Sequence, residues 1–277
     1  NSEKAKKIII DLFAPFVLNG KPIITMLPQE AELVKYLANS FLASKVSFVN
    51  EAARIADKYT ELTGEKIDVT KVLEGVCSDS RIGSVFMTPG PGYGGSCFPK
   101  DTREAAELAT RLDLDLPVIC SINKSNEIHK EYLLEKVIKS YDMLDTKTIA
   151  VWGLSFKAET DDIRESASIT LINGLLEKGA KIQCNDPEAM DIAKKIFGDK
   201  VSYFANKYDA AKDADGLIVA TEWSQFRTPD LEQLNSIMRE KKIFDFRNLY
   251  GSKKGQSYEP LENRIKLMGF KYYGVGR

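Results

Sequence analysis

Histidine is nearly missing: His129 is the only one among 277 residues. A multi-histidine metal site is thereby excluded, and any cysteine–histidine dyad depends on one imidazole. The four cysteines (Cys77, Cys97, Cys120 and Cys184) are scattered and form no CxxC pair. That usage argues against bound metal and suits a reducing, cytoplasmic compartment. No apolar run approaches the roughly 18 residues of a membrane span, so no membrane association is expected. Lys6 and Lys7 ahead of Ile8 superficially mimic a signal peptide, but Asp11 and Pro15 interrupt the run and Asn19–Gly20–Lys21 is no small-residue cleavage site. Positive charge has no surplus: 39 Lys and Arg face 40 Asp and Glu, a net charge of −1. A general nucleic-acid binder is disfavoured on that ground.

What is present is globular, with 43% hydrophobic and 29% charged residues, at a length of about two domains. Residues 3–18 read as an amphipathic helix, broken at Asn19–Gly20–Lys21–Pro22, with a short strand expected over Ile23–Leu27. From Glu30 to Tyr59 the sequence has neither Pro nor Gly and reads as one long helix. Its apolar positions run most of the way round, which predicts burial on several sides, in a helical core or between subunits. Further helices are expected at Asp68–Glu74, Pro99–Leu112 and Leu116–Tyr141. The pattern then alternates: strands at Thr148–Leu154, Lys181–Asn185, Leu217–Thr221, Ile243–Phe246 and Phe270–Val275, with helices at Ser166–Lys178, Ala189–Phe197 and Leu231–Arg239. Such alternation implies a doubly wound parallel sheet, which binds ligands at the carboxyl ends of its strands.

The most informative stretch is Met87–Thr102, MTPGPGYGGSCFPKDT. Four glycines let a ligand lie close to the main chain, Cys97 follows at once, and Pro99 starts a helix with Asp101 in its first turn. A cysteine at a helix N-terminus beside Lys100 is in a setting that favours the thiolate. Residue types alone leave two readings, a reactive cysteine or a small buried thiol beside a surface turn.

GPGYGGSCFPKDT resembles the active-site segment of the UDP-glucose/GDP-mannose dehydrogenase family, nucleotide-sugar dehydrogenases that oxidise C6 of the sugar twice. AELVKYLANSFLASKVSFVNE (31–51), DSRIG (79–83), GLSFKAETDDIRES (153–166), FDFRN (244–248) and YYGVGR (272–277) match in order. The GGSCFPKD wording favours the UDP-glucose branch. The resemblance implies an α/β chain in three parts: residues 1–28 as the remnant of an NAD-binding domain, 29–142 as an all-helical central and dimerisation domain, and 143–277 as a Rossmann-like UDP-binding domain. It implies NAD as cofactor, UDP-glucose as substrate and a homodimer built on the long helix. By resemblance Cys97 is the nucleophile that forms a thiohemiacetal and then a thioester. Lys35 is the active-site lysine, Asn39 its partner, and Asp101 acts with a water as base. Gly92, Tyr93, Gly94 and Gly95 wrap the sugar nucleotide and Phe86 lies near the base. Lys157 and Arg247 hold the diphosphate, Phe156 is a further substrate-binding residue, and Arg81 reaches a neighbouring subunit's substrate. Lys100 and Arg164 contact NAD phosphates.

One departure stands out. The family begins with an NAD domain of roughly 200 residues carrying a G-x-G-x-x-G turn, and Gly153–Leu154–Ser155 here does not reproduce that turn. The chain starts at Asn1 and reads as a fragment of a longer dehydrogenase, not expected to turn over NAD by itself. A related enzyme for another sugar nucleotide and a non-catalytic nucleotide-binding module are the competing readings. A cysteine hydrolase ranks last, because His129 stands among Asn126, Glu127, Lys130 and Glu131, which reads as a solvated helix face.

Overall fold

The computed structural model describes residues 2–17, 23–251 and 260–277. Helix α1 (Glu3–Phe13), capped by the Ser2 side chain, runs into a short 3-10 turn and buries none of its residues. The expected break at residues 19–22 lies outside the described residues. Ile23–Leu27 does not form the expected strand; among the described residues no strand pairs with it, and without a ladder an extended apolar segment is only a connector.

Helix α2 (Pro28–Thr63) spans 36 residues, about 54 Å at 1.5 Å per residue. Pro28 sets its first turn, the Glu30 carboxylate accepts from the Leu27 N–H at 2.7 Å, and Gly64 at φ 76° ends it. Helices α3 (Val69–Val76), α4 (Phe98–Arg111) and α5 (Pro117–Ile138) follow, and α4 and α5 both pack on α2. Of the two settings the sequence allows, a helical core within the chain covers only part of α2: Leu33, Val34, Leu37, Phe41, Phe48 and Ile55 are all exposed.

The second half alternates strands and helices: β1 (Thr148–Trp152), α6 (Ala167–Glu177), β2 (Lys181–Asn185), α7 (Met190–Phe197), β3 (Val201–Tyr203), α8 (Lys207–Ala211), β4 (Gly216–Val219), α9 (Leu231–Ile237), β5 (Lys242–Asp245), α10 (Leu261–Leu267) and β6 (Lys271–Gly274). Among the described residues the strands form one parallel sheet in the order β3-β2-β1-β4-β5-β6. This is the doubly wound order, whose switch point lies between β1 and β4. The chain is α/β as expected, with its helical part first. β3, α8 and α10 are additions to the sequence reading.

Successive β1 residues face opposite layers. Ile149 and Val151 join a core that takes in Leu133 and Val137 of α5 and Val49 and Ala53 of α2. Ala150 and Trp152 join a second core with Leu217, Phe226 and Ile265. The first core therefore binds helices to sheet without a gap. At one crossing Gly174 of α6 stands where a Cβ would come 2.1 Å from Leu134 of α5, so its lack of a side chain permits the approach. Among the described residues no helix is long and apolar enough to cross a membrane.

Candidate functional site

Cys97 is the N-cap residue of α4, with Pro99 and Asp101 in the first turn. Its thiol is exposed, with Sγ 3.8 Å from the Ser96 hydroxyl oxygen. One turn on, Asp101 is fully buried. Asn39 Nδ2 donates to its Oδ2 at 2.5 Å, Lys35 Nζ stands 3.8 Å from the same oxygen, and Lys100 Nζ donates to Oδ1. Lys35 and Asn39, four apart on α2, share a face as the spacing required. Burial pulls the Asp101 carboxyl upward, but the hydrogen bonds from Lys100 and Asn39 and the charge of Lys35 outweigh it and hold the group below the usual carboxylate range. Three of the sequence-chosen groups, Lys35, Asn39 and Lys100, thus converge on one buried anion a turn from the thiol.

The glycine-rich loop is wedged between α5 and the segment after β1. Gly95 donates its N–H to the Arg164 carbonyl at 2.7 Å. A Cβ on Gly94 would come 2.4 Å from the Glu165 carbonyl oxygen, and one on Gly95, at φ 80°, 2.7 Å from the Phe156 ring. Only glycine allows this contact. Gly92 lies against Asn126. Tyr93 is buried, its ring edge-on to Phe98, with centroids 5.8 Å apart. Phe86 adopts φ 63° and sets its half-exposed ring 6.0 Å from Phe98.

Arg247 follows β5 and reaches across the switch point. Its Nε donates to the Ala220 carbonyl, just after β4, at 2.9 Å, and its Nη2 to the Phe156 carbonyl, just after β1, at 2.5 Å. Glu222 pairs with it at 2.9 Å. Lys157 is exposed and holds Nζ 5.4 Å from the Phe156 ring centroid. Arg247, Arg227, Asn248 and the Met87–Gly90 segment line a cleft of about 530 Å³. Cys97 lies outside its lining.

Two cations stand near the thiol. Lys100 and Arg164 both lie within electrostatic reach of Cys97; Lys100 is engaged by Asp101, and Arg164 is clamped by Asp162 through Nε at 2.9 Å and Nη2 at 2.7 Å. Arg81 is not brought to this cluster. It is exposed, grips Asp79 through two oxygens, and lines a second cleft of about 510 Å³ with Phe41, Phe48 and Val118.

The sheet itself does not fit a dinucleotide. In such sites an acid at the end of the second strand hydrogen-bonds a ribose. Here that acid, Asp186, turns inward: Oδ2 accepts from the N–H groups of Leu154 at 2.7 Å and Ser155 at 3.2 Å and from Trp223 Nε1 at 3.1 Å, and Oδ1 from Glu188 and Ala189. The first turn is thereby closed by the chain's own carboxylate.

The expectation for His129 is overturned. The imidazole is fully buried, with Nε2 2.8 Å from the Gly90 carbonyl oxygen, and Asn126 and Lys130 are buried with it. Burial pushes the His129 pKa down to about 4, with Arg54 and Lys136 adding to the effect and the Gly90 bond opposing it. Asn126, His129 and Asn123, missed as site residues, form the floor of the loop. Helical spacing alone puts positions 123, 126 and 129 near one another, but with Lys124, Glu127, Ile128 and Glu131 exposed beside them no residue type marked that face as buried.

Cations at a switch point beside a glycine-rich loop are the layout of a nucleotide-binding α/β protein. Residues 29–128 match the central domain, and residues 150–252 the UDP binding domain, of the UDP-glucose/GDP-mannose dehydrogenase family. The chain belongs to that family. It is 36% identical over 280 residues to the UDP-glucose 6-dehydrogenase of Pseudomonas aeruginosa and 35% over 276 residues to that of Rhizobium meliloti, in each case covering 99% of this chain. It spans only 58% and 59% of those relatives. Among solved structures it superposes on a UDP-glucose dehydrogenase from Pyrobaculum islandicum with a TM-score of 0.82 at 32% identity, over all of this chain and 57% of that one. A UDP-D-ManNAc dehydrogenase from Pyrococcus horikoshii gives 0.75 at 26% identity, over all of this chain and 58% of that one.

Proposed function

We propose that this chain carries the sugar-nucleotide site and the covalent chemistry of a UDP-glucose 6-dehydrogenase, which oxidises UDP-glucose to UDP-glucuronate in two NAD-dependent steps. The observation that carries the reading is the staple between the cysteine loop and the β1 exit, the Gly95–Arg164 bond with Gly94 and Gly95 seated on Glu165 and Phe156. It supports a site in which the loop bearing Cys97 and the switch point that Arg247 spans act on one ligand.

The diphosphate lies at the switch point on Arg247 and Lys157, and the nucleoside enters the cleft walled by Met87–Gly90. The sugar extends along the glycine loop to Cys97. There the sulfur adds to a C6 aldehyde while the aldehyde oxygen takes a proton, giving a thiohemiacetal. That aldehyde is the product of the first oxidation, in which the C6 alcohol gives up a hydride and its hydroxyl proton; in the second, the thiohemiacetal loses a hydride from C6 and its hydroxyl proton and becomes a thioester. Water adds to that carbonyl, the C–S bond breaks, and the carboxylate leaves with the thiol restored. Lys35 and Asn39 stabilise negative charge on the C6 oxygen. Asp101, held ionised, accepts a proton through water. NAD supplies the hydride acceptor for both oxidations. Lys100 and Arg164, beside the thiol, are this chain's cations for its phosphates, and the sheet adds no dinucleotide site. The 277 residues alone therefore do not turn over NAD.

The exposed apolar face of α2 supports a homodimer, with Arg81 at the rim of the cleft that Phe41 and Phe48 line.

Calorimetry of the chain with UDP and UDP-glucose tests the reading. Binding of both is expected, and a folded protein that takes neither overturns it. Thermal shifts with GDP-mannose and UDP-N-acetylhexosamines check the sugar nucleotide; a larger shift with one of these moves the assignment to that relative.

A further inference from the structure

One buried polar stripe has no place in the chemistry above. Asn123, Asn126 and His129 of α5 stand three apart and share a face, and that face is turned to residues 90–93. Asn126 is 2% exposed and binds both backbone groups of Tyr93: Oδ1 accepts from its N–H at 2.9 Å and Nδ2 donates to its C=O at 3.0 Å. The two backbone groups of Gly90 are held from opposite sides. Asn50 of α2 accepts from its N–H at 3.0 Å, and His129 Nε2 lies 2.8 Å from its carbonyl oxygen. A carbonyl only accepts, so Nε2 carries the proton, and the buried Nδ1, which has no partner, is the bare nitrogen. Asn123 Oδ1 accepts from the Tyr93 hydroxyl at 2.8 Å and from Thr102 Oγ1 at 2.6 Å.

An ordinary surface turn leaves such groups to water. Here four backbone groups and one phenol are satisfied by side chains of two helices, and the cluster is kept although His129 Nδ1 and Asn50 Nδ2 stay buried without a partner, which is unfavourable. The arrangement fixes the shape of a loop that is a nucleotide-cleft wall at Gly90 and leads to the thiol seven residues on. We propose that Asn126 is a positioning residue for the sugar-nucleotide loop, acting with Asn123, His129 and Asn50 to keep residues 90–93 in their ligand-ready form before the ligand arrives. Binding then carries little cost of ordering the loop. The inference rests on the functional reading above and extends it to residues that touch neither substrate nor thiol.

The test compares Asn126→Ala with Val201→Ala, a core truncation on the distant edge strand β3, using two readouts on the 277-residue chain. Calorimetry measures UDP-glucose affinity, and hydrogen exchange follows the amides of residues 90–97 without ligand. Losing two hydrogen bonds to the loop is expected to weaken UDP-glucose by about tenfold or more, with faster exchange confined to residues 90–97. Val201→Ala is expected to lower the melting temperature while affinity stays within about twofold, a change of only a few tenths of a kcal/mol. Wild-type affinity in Asn126→Ala, equal losses in both variants, or unchanged loop exchange overturns the proposal. If the wild-type chain binds no UDP-glucose, the functional reading fails, and exchange alone decides the clamp: acceleration confined to the loop upholds it and no change refutes it. If Asn126→Ala does not fold, Asn123→Ala, which removes the acceptor of the Tyr93 and Thr102 hydroxyls and leaves the backbone bonds of the loop in place, is judged by the same readouts.

Discussion

Asp101 is a carboxylate with no exposed surface that stays charged because Lys100, Asn39 and Lys35 converge on it. Replacing it with Ala leaves the Asn39 amide facing an unfilled space and is expected to cost about 1–3 kcal/mol, read from the urea midpoint. Its carboxyl is held below the ordinary range, so its contribution is present near neutrality and is lost as pH falls through the acid range. His129 acts over a higher window. Its folded-state value of about 4 lies below the ordinary 6.5, so the unfolded chain binds the extra proton first. Stability falls as pH drops from about 6.5 toward 4, by on the order of 3 kcal/mol in all. His129→Gln keeps a donor for the Gly90 carbonyl but has no such proton. Its stability relative to wild type is therefore expected to improve steadily from pH 7 to 4.5 in urea titrations; parallel curves would remove the assignment. The two residues differ in how readable they were. Cys97, Asp101 and the glycines announce themselves by residue type. Asn126 and His129 do not, because amides and a lone imidazole among Glu and Lys look like a wet surface until the chain brings the loop onto them.

At the scale of elements, α2 was legible because an absence of Pro and Gly over some thirty residues leaves the backbone little alternative. Of the two settings its apolar surface allowed, burial inside one chain accounts for only part: Leu33, Val34, Leu37, Phe41, Phe48 and Ile55 lie in the open, which leaves the inter-subunit setting to be tested. The short elements β3, α8 and α10 passed unread, being too brief for a periodic pattern to rise above chance. Ile23–Leu27 erred the other way, since a strand is a property of a pair and no sequence window contains the partner. The glycine loop offers a sharp elemental test. Gly94→Ala would place a methyl 2.4 Å from a backbone oxygen of residue 165, which cannot swing aside as a side chain can. The loop must part from the β1 exit. A loss of about 1–3 kcal/mol and a clear loss of UDP-glucose affinity are expected from denaturation and calorimetry. An Ala variant that binds as wild type would show that the staple does not shape the site.

For the molecule as a whole, the parallel doubly wound sheet was foreseeable from alternation, and with it the edge to which such a sheet sends its ligands; the strand order was not, and Lys157 and Arg247 were singled out by the family resemblance. What alternation could not reveal is that Asp186 closes the first turn from within. On that ground the 277-residue chain is expected to produce no NADH from UDP-glucose in a spectrophotometric assay, and measurable production would contradict the reading of that turn. The open apolar face of α2 predicts dimers in sedimentation at micromolar concentration and monomers for Phe41→Asp; a monomeric wild type would leave that face unexplained. The central claim, that the thiol of Cys97 stands beside the sugar-nucleotide cradle, is tested most directly by iodoacetamide labelling followed residue by residue in mass spectra, with and without UDP-glucose. Cys97 and Cys120 are both exposed, so each serves as the other's control. Saturating UDP-glucose is predicted to slow alkylation of Cys97 and leave Cys120 unchanged. A Cys97 rate indifferent to a sugar nucleotide that calorimetry shows to be bound would contradict the account.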